Sequence, residues 1–281
     1  AIAQNSNKGY YEGLVYKFNG TLSFRLTDKI GIGQSSYREP SLVTGSSKEY
    51  TWNVENVTGI NNDAESKYYK DILGFNSASE FGEYIANNYN NMILSVDSFG
   101  GFYVSRYETT QTKDTSGNVI VGSKNNGAVF SGYNWYQMYM YQDSRKYAKN
   151  PYYGSKSVVS SMIWGSQYDA MLRWMVDSGV KNITSTSPVD LSIGATSRNT
   201  TRVTGGANDG QTVSKDKLSN IYDLLGNSFE WTQEADRTYF RVHRGGYYNY
   251  SGAPSDYDNF GYRYPTNDYS DIGSRLTLYI K

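Results

Sequence analysis

The segment NIYDLLGNSFEWT, residues 220 to 232, stands just before an abrupt change in composition. Residues 211 to 234 hold seven residues of the types Lys, Gln, Glu, Met and Trp. Residues 235 to 280 hold none of these five types, although about seven would be expected at their frequency in the whole chain. We therefore treat residues 235 to 280, called the tail below, as a region with its own compositional rule.

One genetic origin accounts for that rule. Randomising both adenines of an AAY codon (Y being a pyrimidine) yields Asn, Thr, Ser, Ile, Asp, Ala, Gly, Val, His, Pro, Arg, Leu, Tyr, Cys or Phe. It never yields Lys, Gln, Glu, Met or Trp, which are the types missing from the tail. A tyrosine-rich binding loop that avoids Lys and Glu is the alternative explanation.

Tyrosine is the other compositional outlier, with 29 residues against 10 Phe. Its large rigid ring and hydroxyl group suit recognition surfaces, where few rotamers are lost on binding. Tyrosine is also frequent in β-strands. Composition alone leaves these two uses open.

Several functional classes are excluded by counting. The 27 basic and 27 acidic residues give no net charge, so the basic patch needed for nucleic acid or an anionic membrane is not expected. The absence of Cys rules out disulfides and thiolate chemistry, and a single histidine rules out two-histidine metal motifs. No apolar run is long enough to span a membrane, and no leader is visible at the start.

The remaining motifs carry no chemistry. His243 could serve a Ser and an Asp as a base, but a single His in a polar segment is usually a surface residue. GIGQ, residues 31 to 34, lacks the third glycine of a dinucleotide loop, and Asp256 and Asp258 lack the distal Glu of a calcium loop. We therefore predict no catalytic residue, no metal site and no cofactor.

Periodicity predicts the elements ahead of the tail. The runs GLVYKF, TLSFRL and YTWNV predict short strands. Ser77 and Glu80 have capping-box spacing, and a helix after them would share an inner face made of Phe81, Tyr84, Ile85, Met92 and Leu94. A strand over residues 100 to 110 and a hairpin around Ser116 and Gly117 follow.

Two further helices are predicted. Residues 133 to 148 would place Trp135, Met138, Tyr139 and Gln142 on one side. Another would start at a Ser166 cap with Asp169 three residues on, and end near Gly179; its stripe is Tyr168, Met171, Leu172 and Met175. Residues 182 to 216 are polar and read as a surface loop. Since helices and strands do not alternate as βαβ units, the predicted class is α+β.

Four segments, in order, resemble the formylglycine-generating-enzyme branch of the C-type lectin fold. They are GFYVSRYETT (101 to 110), MIWGSQYDAMLRWM (162 to 175), NIYDLLGNSFEWT (220 to 232), and RVHRGG (241 to 246) with GSR (273 to 275). The pattern Gly-Asn-x-x-Glu-Trp followed by Arg-Gly-Gly is the most specific part. The resemblance covers roughly residues 95 to 281 and implies short strands, a few helices and long loops.

The departures from that family concern its chemistry. Its sulfatase-modifying members need a cysteine pair and its iron-dependent members need several histidines, and this chain has neither. The resemblance therefore implies a non-enzymatic protein. We divide the chain into a strand-rich lead-in ending in a helix (1 to 90) and a C-type lectin-fold domain (91 to 281), with a variable region at about 236 to 275.

Among proteins of this fold, the tail resembles the variable proteins of diversity-generating retroelements, in which error-prone copying of adenines rewrites the 3′ end of a gene. In that interpretation Glu230 and Trp231 are structural, and Gly245 and Gly246 allow a tight backbone path. Ser274 and Arg275 precede a fixed final strand, LTLYI, that pairs into the sheet. The predicted ligand-binding residues are Tyr239, Arg241, His243, Tyr247, Tyr248, Asn249, Tyr250, Ser251, Asp256, Tyr257, Asp258, Asn259, Phe260, Tyr262, Arg263, Tyr264, Asn267, Asp268, Tyr269 and Asp271.

The resulting expectation is a hypervariable receptor-recognition protein displayed on a phage virion or a bacterial cell surface. Its partner would be a host-surface protein or a glycan, bound by aromatic anchors and adaptable polar groups. Two alternatives stay open. One is a fixed-site lectin or adhesin module that depends on calcium or not, and the other is a catalytically inactive relative of formylglycine-generating enzyme.

Overall fold

A computed structural model describes the backbone of residues 2–3, 15–18, 21–24, 68–168, 170–171, 203–204, 217–218, 220–224, 227–236, 240–247 and 260–281. Its helices are a π-helical turn at Tyr68–Ile72, α1 at Ala78–Phe99 and α2 at Trp135–Gln142. A third helix, α3, starts at Gly165 and is described at residues 165 to 168, 170 and 171.

Strands make up the rest of the regular structure, and the mixture is α+β as predicted. Two four-stranded sheets have the orders β1-β4-β16-β8 and β14-β13-β12-β15, and β2-β3, β5-β6, β7-β9 and β10-β11 are two-stranded. The bounds are β1 Ile2–Ala3, β2 Val15–Phe18, β3 Thr21–Phe24, β4 Gly101–Val104, β5 Thr110–Lys113, β6 Val119–Gly122, β7 Gly127–Ala128, β8 Val158–Met162, β9 Val203–Thr204, β10 Lys217–Leu218, β11 Ile221–Tyr222, β12 Phe229–Asp236, β13 Phe240–Arg244, β14 Phe260–Arg263, β15 Ile272–Ser274 and β16 Leu276–Ile280.

Helix α1 begins where its cap predicts. The Ser77 hydroxyl accepts the Glu80 amide N–H at 3.1 Å, and the helix ends at Gly100 with φ of +77°. Phe81, Ile85 and Met92 are buried as predicted. Leu94 was placed on the same face and is 46% exposed, because nine residues at 3.6 per turn carry it half a turn away from Ile85.

The same helix crosses the predicted division of the chain at residues 90 and 91. It runs over 22 residues through position 90, so a boundary there would cut it in the middle. Strand β1 also pairs with β4, on the far side of the helix in sequence. Residues 2–3 and residues 101–102 thus share one sheet.

Helix α2 carries the predicted inner face and stops early. Trp135, Met138, Tyr139 and Gln142 are all buried. The helix was predicted to reach residue 148 and ends at Gln142, because the Asn150 side-chain amide donates to the carbonyls of Tyr141 and Gln142. The side-chain amide thus satisfies carbonyls that lack a helical N–H partner at the helix end, where Asp143 has a ψ of 104°.

Two other predictions needed correction. The strand expected over residues 100 to 110 is β4 alone; the chain leaves it at Ser105, Glu108 turns inward, and β5 starts at Thr110. Helix α3 starts one residue before the predicted cap. The Trp164 amide N–H donates to the Gln167 side chain, while Ser166 is buried and accepts from the Tyr89 hydroxyl.

Of the remaining predicted elements, some are confirmed and the others lie outside the described residues. The hairpin is β5–β6, closed by Asp114 and Gly117, and LTLYI is β16, between β4 and β8. GLVYKF and TLSFRL contain the paired strands β2 and β3. Lying outside the described residues are YTWNV, the α3 positions Asp169, Leu172, Met175 and Gly179, and residues 182 to 216 except for β9.

The core lies between α1, α2 and the two larger sheets and is unusually aromatic. Trp135 stacks on Tyr139 with ring centroids 5.1 Å apart, and Phe81 contacts both rings edge-on or tilted. Such pairs add to the free energy of burial through their quadrupoles. Within the described residues, no helix combines the length and apolar character required to cross a membrane.

Candidate ligand-binding surface

The tail enters the fold as the central strand of a sheet. Strand β13 pairs with β12 on one side and with β14 on the other, both antiparallel. Every residue from Arg241 to Gly246 is consequently buried. Gly245 has φ of +74°, and a Cβ added there would lie 2.8 Å from the Leu224 carbonyl oxygen, so the tight path predicted at the glycine pair requires glycine at this position.

Two of the predicted contact residues are buried. Arg241 has no exposed surface, and its guanidinium carbon lies 4.6 Å from the ring centroid of Trp135. His243 is 4% exposed. Both side chains lie in the interior, whereas the prediction placed them on the surface; their role as ligand contacts stays a prediction.

The imidazole of His243 is held by rings. Phe229 lies 4.4 Å away between centroids and Trp231 meets it edge-on at 6.0 Å. Throughout the described part of the chain, neither ring nitrogen finds a hydrogen-bond partner. Desolvation, with a smaller contribution from the positive charge of Arg263, lowers the pKa of His243 from 6.5 to about 3, so this imidazole is neutral at pH 7.

Two buried ion pairs fasten the tail to the strand that precedes it. Arg244 donates to Glu234 through Nε at 2.9 Å and Nη2 at 2.7 Å. Arg275 donates to Glu230 through Nε at 3.0 Å and Nη2 at 2.5 Å. Both carboxylates lie on β12, upstream of the tail, and both guanidinium groups lie within it, so bidentate pairs join the two regions.

The Gly-Asn-x-x-Glu-Trp segment supports the second of these pairs. Trp231 and Glu230 are buried, which confirms their predicted structural role. Asn227, with φ of 64°, donates to the Glu108 carboxylate, and the Ser228 N–H donates to it at 3.1 Å. Arg275 additionally donates to the carbonyls of Ser105 and Tyr222.

Glu108 is the unusual member of this buried group. Burial, and then the negative charges of Asp223 and Glu230, raise the pKa of Glu108 well above its usual value. The side chain has no exposed surface, so it has no access to a substrate. Its two accepted hydrogen bonds instead connect the start of β5 to the loop before β12.

One exposed stretch of the described tail lies between two backbone attachments. The Trp135 N–H, at the start of α2, donates to the Pro265 carbonyl at 3.0 Å, and the Gly132 N–H donates to the Tyr269 carbonyl at 3.0 Å. Between them, Asn267 and Asp268 are exposed. Their backbone is thus fixed before any ligand arrives, which reduces the entropy cost of binding.

Aromatic contacts complete that arrangement. Tyr264 is 49% exposed and rests on Phe240 with centroids 4.7 Å apart. Tyr269 is half-buried, with Trp231 at 5.9 Å, and Tyr247 is half-buried on Phe229 at 4.6 Å. Of these three predicted anchors, Tyr264 offers the freest ring.

Apart from the buried Arg241 and His243, the predicted residues fall into four groups. Arg263, Tyr264, Asn267 and Asp268 are exposed and lie close together in sequence, while Tyr247, Tyr269 and Asp271 are half-buried. Phe260 and Tyr262 lie on β14, and nothing more is described of them. The remaining contacts predicted in the tail lie outside the described residues: Tyr239, Tyr248, Asn249, Tyr250, Ser251, Asp256, Tyr257, Asp258 and Asn259.

Sequence reasoning missed the partners of the tail. Glu234 and Glu108 were not singled out, and neither was Gly165, although a Cβ at Gly165 would lie 2.0 Å from Glu234 Cδ. One signal was present: Glu230 and Glu234 are the last two acidic residues before a tail rich in Arg. Across the residues described, no three His, Asp or Glu side chains converge as a metal ion would require.

Comparison with known proteins adds little. The sequence matches no protein family and no curated protein sequence. Among solved structures, the crystal structure of CarF is similar over 69% of this chain and 83% of its own, with 12% identity and a TM-score of 0.38. A similarity this weak carries no argument about fold or function.

Proposed function

We propose that this chain is a hypervariable ligand-binding protein whose tail is diversified by a retroelement and displayed on a phage tail or a bacterial surface. Its partner is a host-surface protein or glycan, and the protein is not an enzyme. The observation that carries the proposal is the absence of Lys, Gln, Glu, Met and Trp from residues 235 to 280. Adenine-directed mutagenesis of AAY codons leaves that signature.

The division of the tail by burial supports this function. A diversified protein needs positions that hold the fold and positions that can change freely. Arg244 and Arg275 are fully buried against carboxylates of β12, whereas Arg263, Asn267 and Asp268 are exposed. The exposed residues are of the kinds enriched at adaptable recognition surfaces, next to the aromatic ring of Tyr264.

We further propose the C-type lectin fold of the formylglycine-generating-enzyme branch. The pairing of β16 with β4 supports it, because the GFYVSRYE segment corresponds to the opening strand of that fold and LTLYI to its closing one. The buried Glu230 and Trp231 support it as well. Both residues belong to the most specific motif of the resemblance.

The decisive experiment is to sequence the DNA around the gene. We expect a nearby reverse-transcriptase gene and a near-repeat of the gene's 3′ end that differs from it only where the repeat has adenine. The differing codons should include those of Arg263, Tyr264, Asn267 and Asp268 and exclude those of Arg244 and Arg275. Finding neither the reverse transcriptase nor the repeat would leave a fixed-site lectin or adhesin, or an inactive relative of formylglycine-generating enzyme.

A binding experiment tests the surface itself. The triple variant Tyr264→Ala/Asn267→Ala/Asp268→Ala should lose retention on cells that bind the wild-type protein. The matched control replaces exposed residues away from the tail, Lys149→Ala/Tyr152→Ala/Tyr153→Ala, and should be retained. Equal retention of both variants would place the ligand site elsewhere.

A further inference from the structure

A second candidate binding site lies away from the exposed residues of the tail. A cavity of about 430 Å³ opens between the C-terminal half of α1 and the ends of β8 and β16. Strand β16 begins next to Arg275 and reaches the cavity at Ile280, a distance of roughly 13 Å at 3.3 Å per residue. None of the described residues that line the cavity lies between positions 263 and 268, where the exposed residues of the tail are.

The packing of α1 explains why this space is open. The helix packs against β4 and β16, whereas β8 is the last strand of that sheet. One helical stripe, with Asn91, Leu94, Ser95 and Ser98 at spacings of three and four, consequently lines the cavity instead of packing on a strand. Leu94 is 46% exposed and the nearby Phe99 54% exposed, which is uncommon for large apolar side chains.

Ser95 gives the cavity an unused polar group. Its residue is 6% exposed, and among the described residues its hydroxyl has no hydrogen-bond partner. A serine within a helix commonly donates to the carbonyl four residues earlier, here that of Asn91, and this bond is not made. A buried hydroxyl without a hydrogen-bond partner lowers the stability of the fold. A ligand that accepts a hydrogen bond from it would therefore gain binding free energy.

The charges of the lining favour an anion. Among the described residues that line it, none is Asp or Glu, and the two charged ones are Arg145 and Lys281. The Arg145 guanidinium is already bonded to Asp143 and the Tyr279 hydroxyl. Lys281 is exposed and bonds the Ser155 carbonyl through one of its three ammonium N–H groups, so further donors of that group are available at the mouth.

We propose that this cavity binds a small amphipathic carboxylate of the size of a medium-chain fatty acid. Its alkyl chain lies along Leu94, Phe99, Val159 and Ile280. Its carboxylate accepts a hydrogen bond from the Ser95 hydroxyl and is attracted by the Lys281 ammonium group. The volume falls within the usual range for small-molecule sites, roughly 300–1,000 Å³.

The test is calorimetric titration of the full chain with decanoate and, for comparison, with the uncharged decanol. Decanoate should bind saturably at one site and more tightly than decanol. Ser95→Ala should weaken decanoate about fivefold, the effect of one hydrogen bond, and should change decanol binding less. Absence of saturable decanoate binding would overturn the proposal.

Two substitutions of opposite charge at the exposed position Leu94 provide the second test, because neither disturbs the core. Leu94→Asp should weaken decanoate binding and Leu94→Lys should preserve or strengthen it, while Tyr264→Asp in the tail should leave it unchanged. Equal affinities for Leu94→Asp and Leu94→Lys, or for decanoate and decanol, would contradict an anion site. None of these results bears on the function proposed for the tail.

Discussion

Three arginines of the tail show how one residue type is used in two opposite ways. Arg244 and Arg275 are fully buried and bonded to Glu234 and Glu230 on β12. Arg263, on β14 at the end of the same sheet, is exposed. The residue type is the same at all three positions. The two buried arginines differ from the exposed one in having a carboxylate of β12 opposite the side chain.

The difference shows what allows a segment of such polar composition to fold. Burying a guanidinium group is costly unless other groups compensate its charge, as Glu234 does for Arg244 and Glu230 does for Arg275. The strand upstream of the tail supplies those carboxylates from positions where Glu still occurs. The exposed segment can then change its side chains without touching the supports.

Removing one of the two buried arginines that pair with β12 should have the largest effect on stability. Arg275→Met leaves Glu230 buried without its cation and the carbonyls of Ser105 and Tyr222 without donors. We expect the free energy of unfolding to fall by about 3–5 kcal/mol in urea denaturation. Arg263→Met is the matched control and should change it by less than about 0.5 kcal/mol; similar losses in the two variants would abolish the distinction drawn here.

Displacing the carboxylate of one of these ion pairs should have the next largest effect on stability. A methyl group at Gly165 would lie 2.0 Å from Glu234 Cδ and displace the partner of Arg244. Gly165→Ala should lower the free energy of unfolding by about 1–3 kcal/mol. At Gly122 the nearest atom to an added Cβ is 4.0 Å away, so Gly122→Ala should be close to neutral. A neutral Gly165→Ala would mean that Glu234 can move without loss.

A smaller effect should depend on pH through His243. Its pKa is lowered to about 3, so below pH 6.5 the unfolded chain binds a proton that the folded protein does not. This contribution to stability is therefore present above pH 6.5 and is lost as pH falls toward 3, by about 1 kcal/mol between pH 6.5 and 5.5. The difference in unfolding free energy between wild type and His243→Leu should change by that amount; a difference independent of pH would show that His243 is protonated in the fold.

The smallest effect on stability should come from the exposed segment. Asn267→Ser and Asp268→Tyr exchange one AAY-type residue for another and should each shift the unfolding free energy by no more than about 0.5 kcal/mol. Ser274→Tyr makes the same kind of exchange at a fully buried position, where the hydroxyl accepts from Gln142 at 2.6 Å, and should prevent folding. Thermal unfolding of the three variants compares them directly.

Prediction from the sequence succeeded where the signal was local. Ser77 and its spacing to Glu80 predict the start of α1, and the spacing of Trp135, Met138, Tyr139 and Gln142 predicts the buried face of α2. It failed where a distant group decided the outcome. Helix α2 ends early because Asn150 takes its last carbonyls, and Ser166 serves Tyr89 rather than capping α3.

The sequence alone determined the α+β class, the N-cap of α1, the buried face of α2 and the boundary at residue 235, because each depends on neighbouring residues or on composition. Only the tertiary structure decided which tail residues face solvent. Arg241 and His243 were predicted on the surface and are interior, because β13 is covered by strands on both sides and by rings of Trp135, Phe229 and Trp231. Burial depends on contacts with residues far away in the chain. The local sequence of a tail built from a restricted set of residue types does not indicate which of its positions make such contacts.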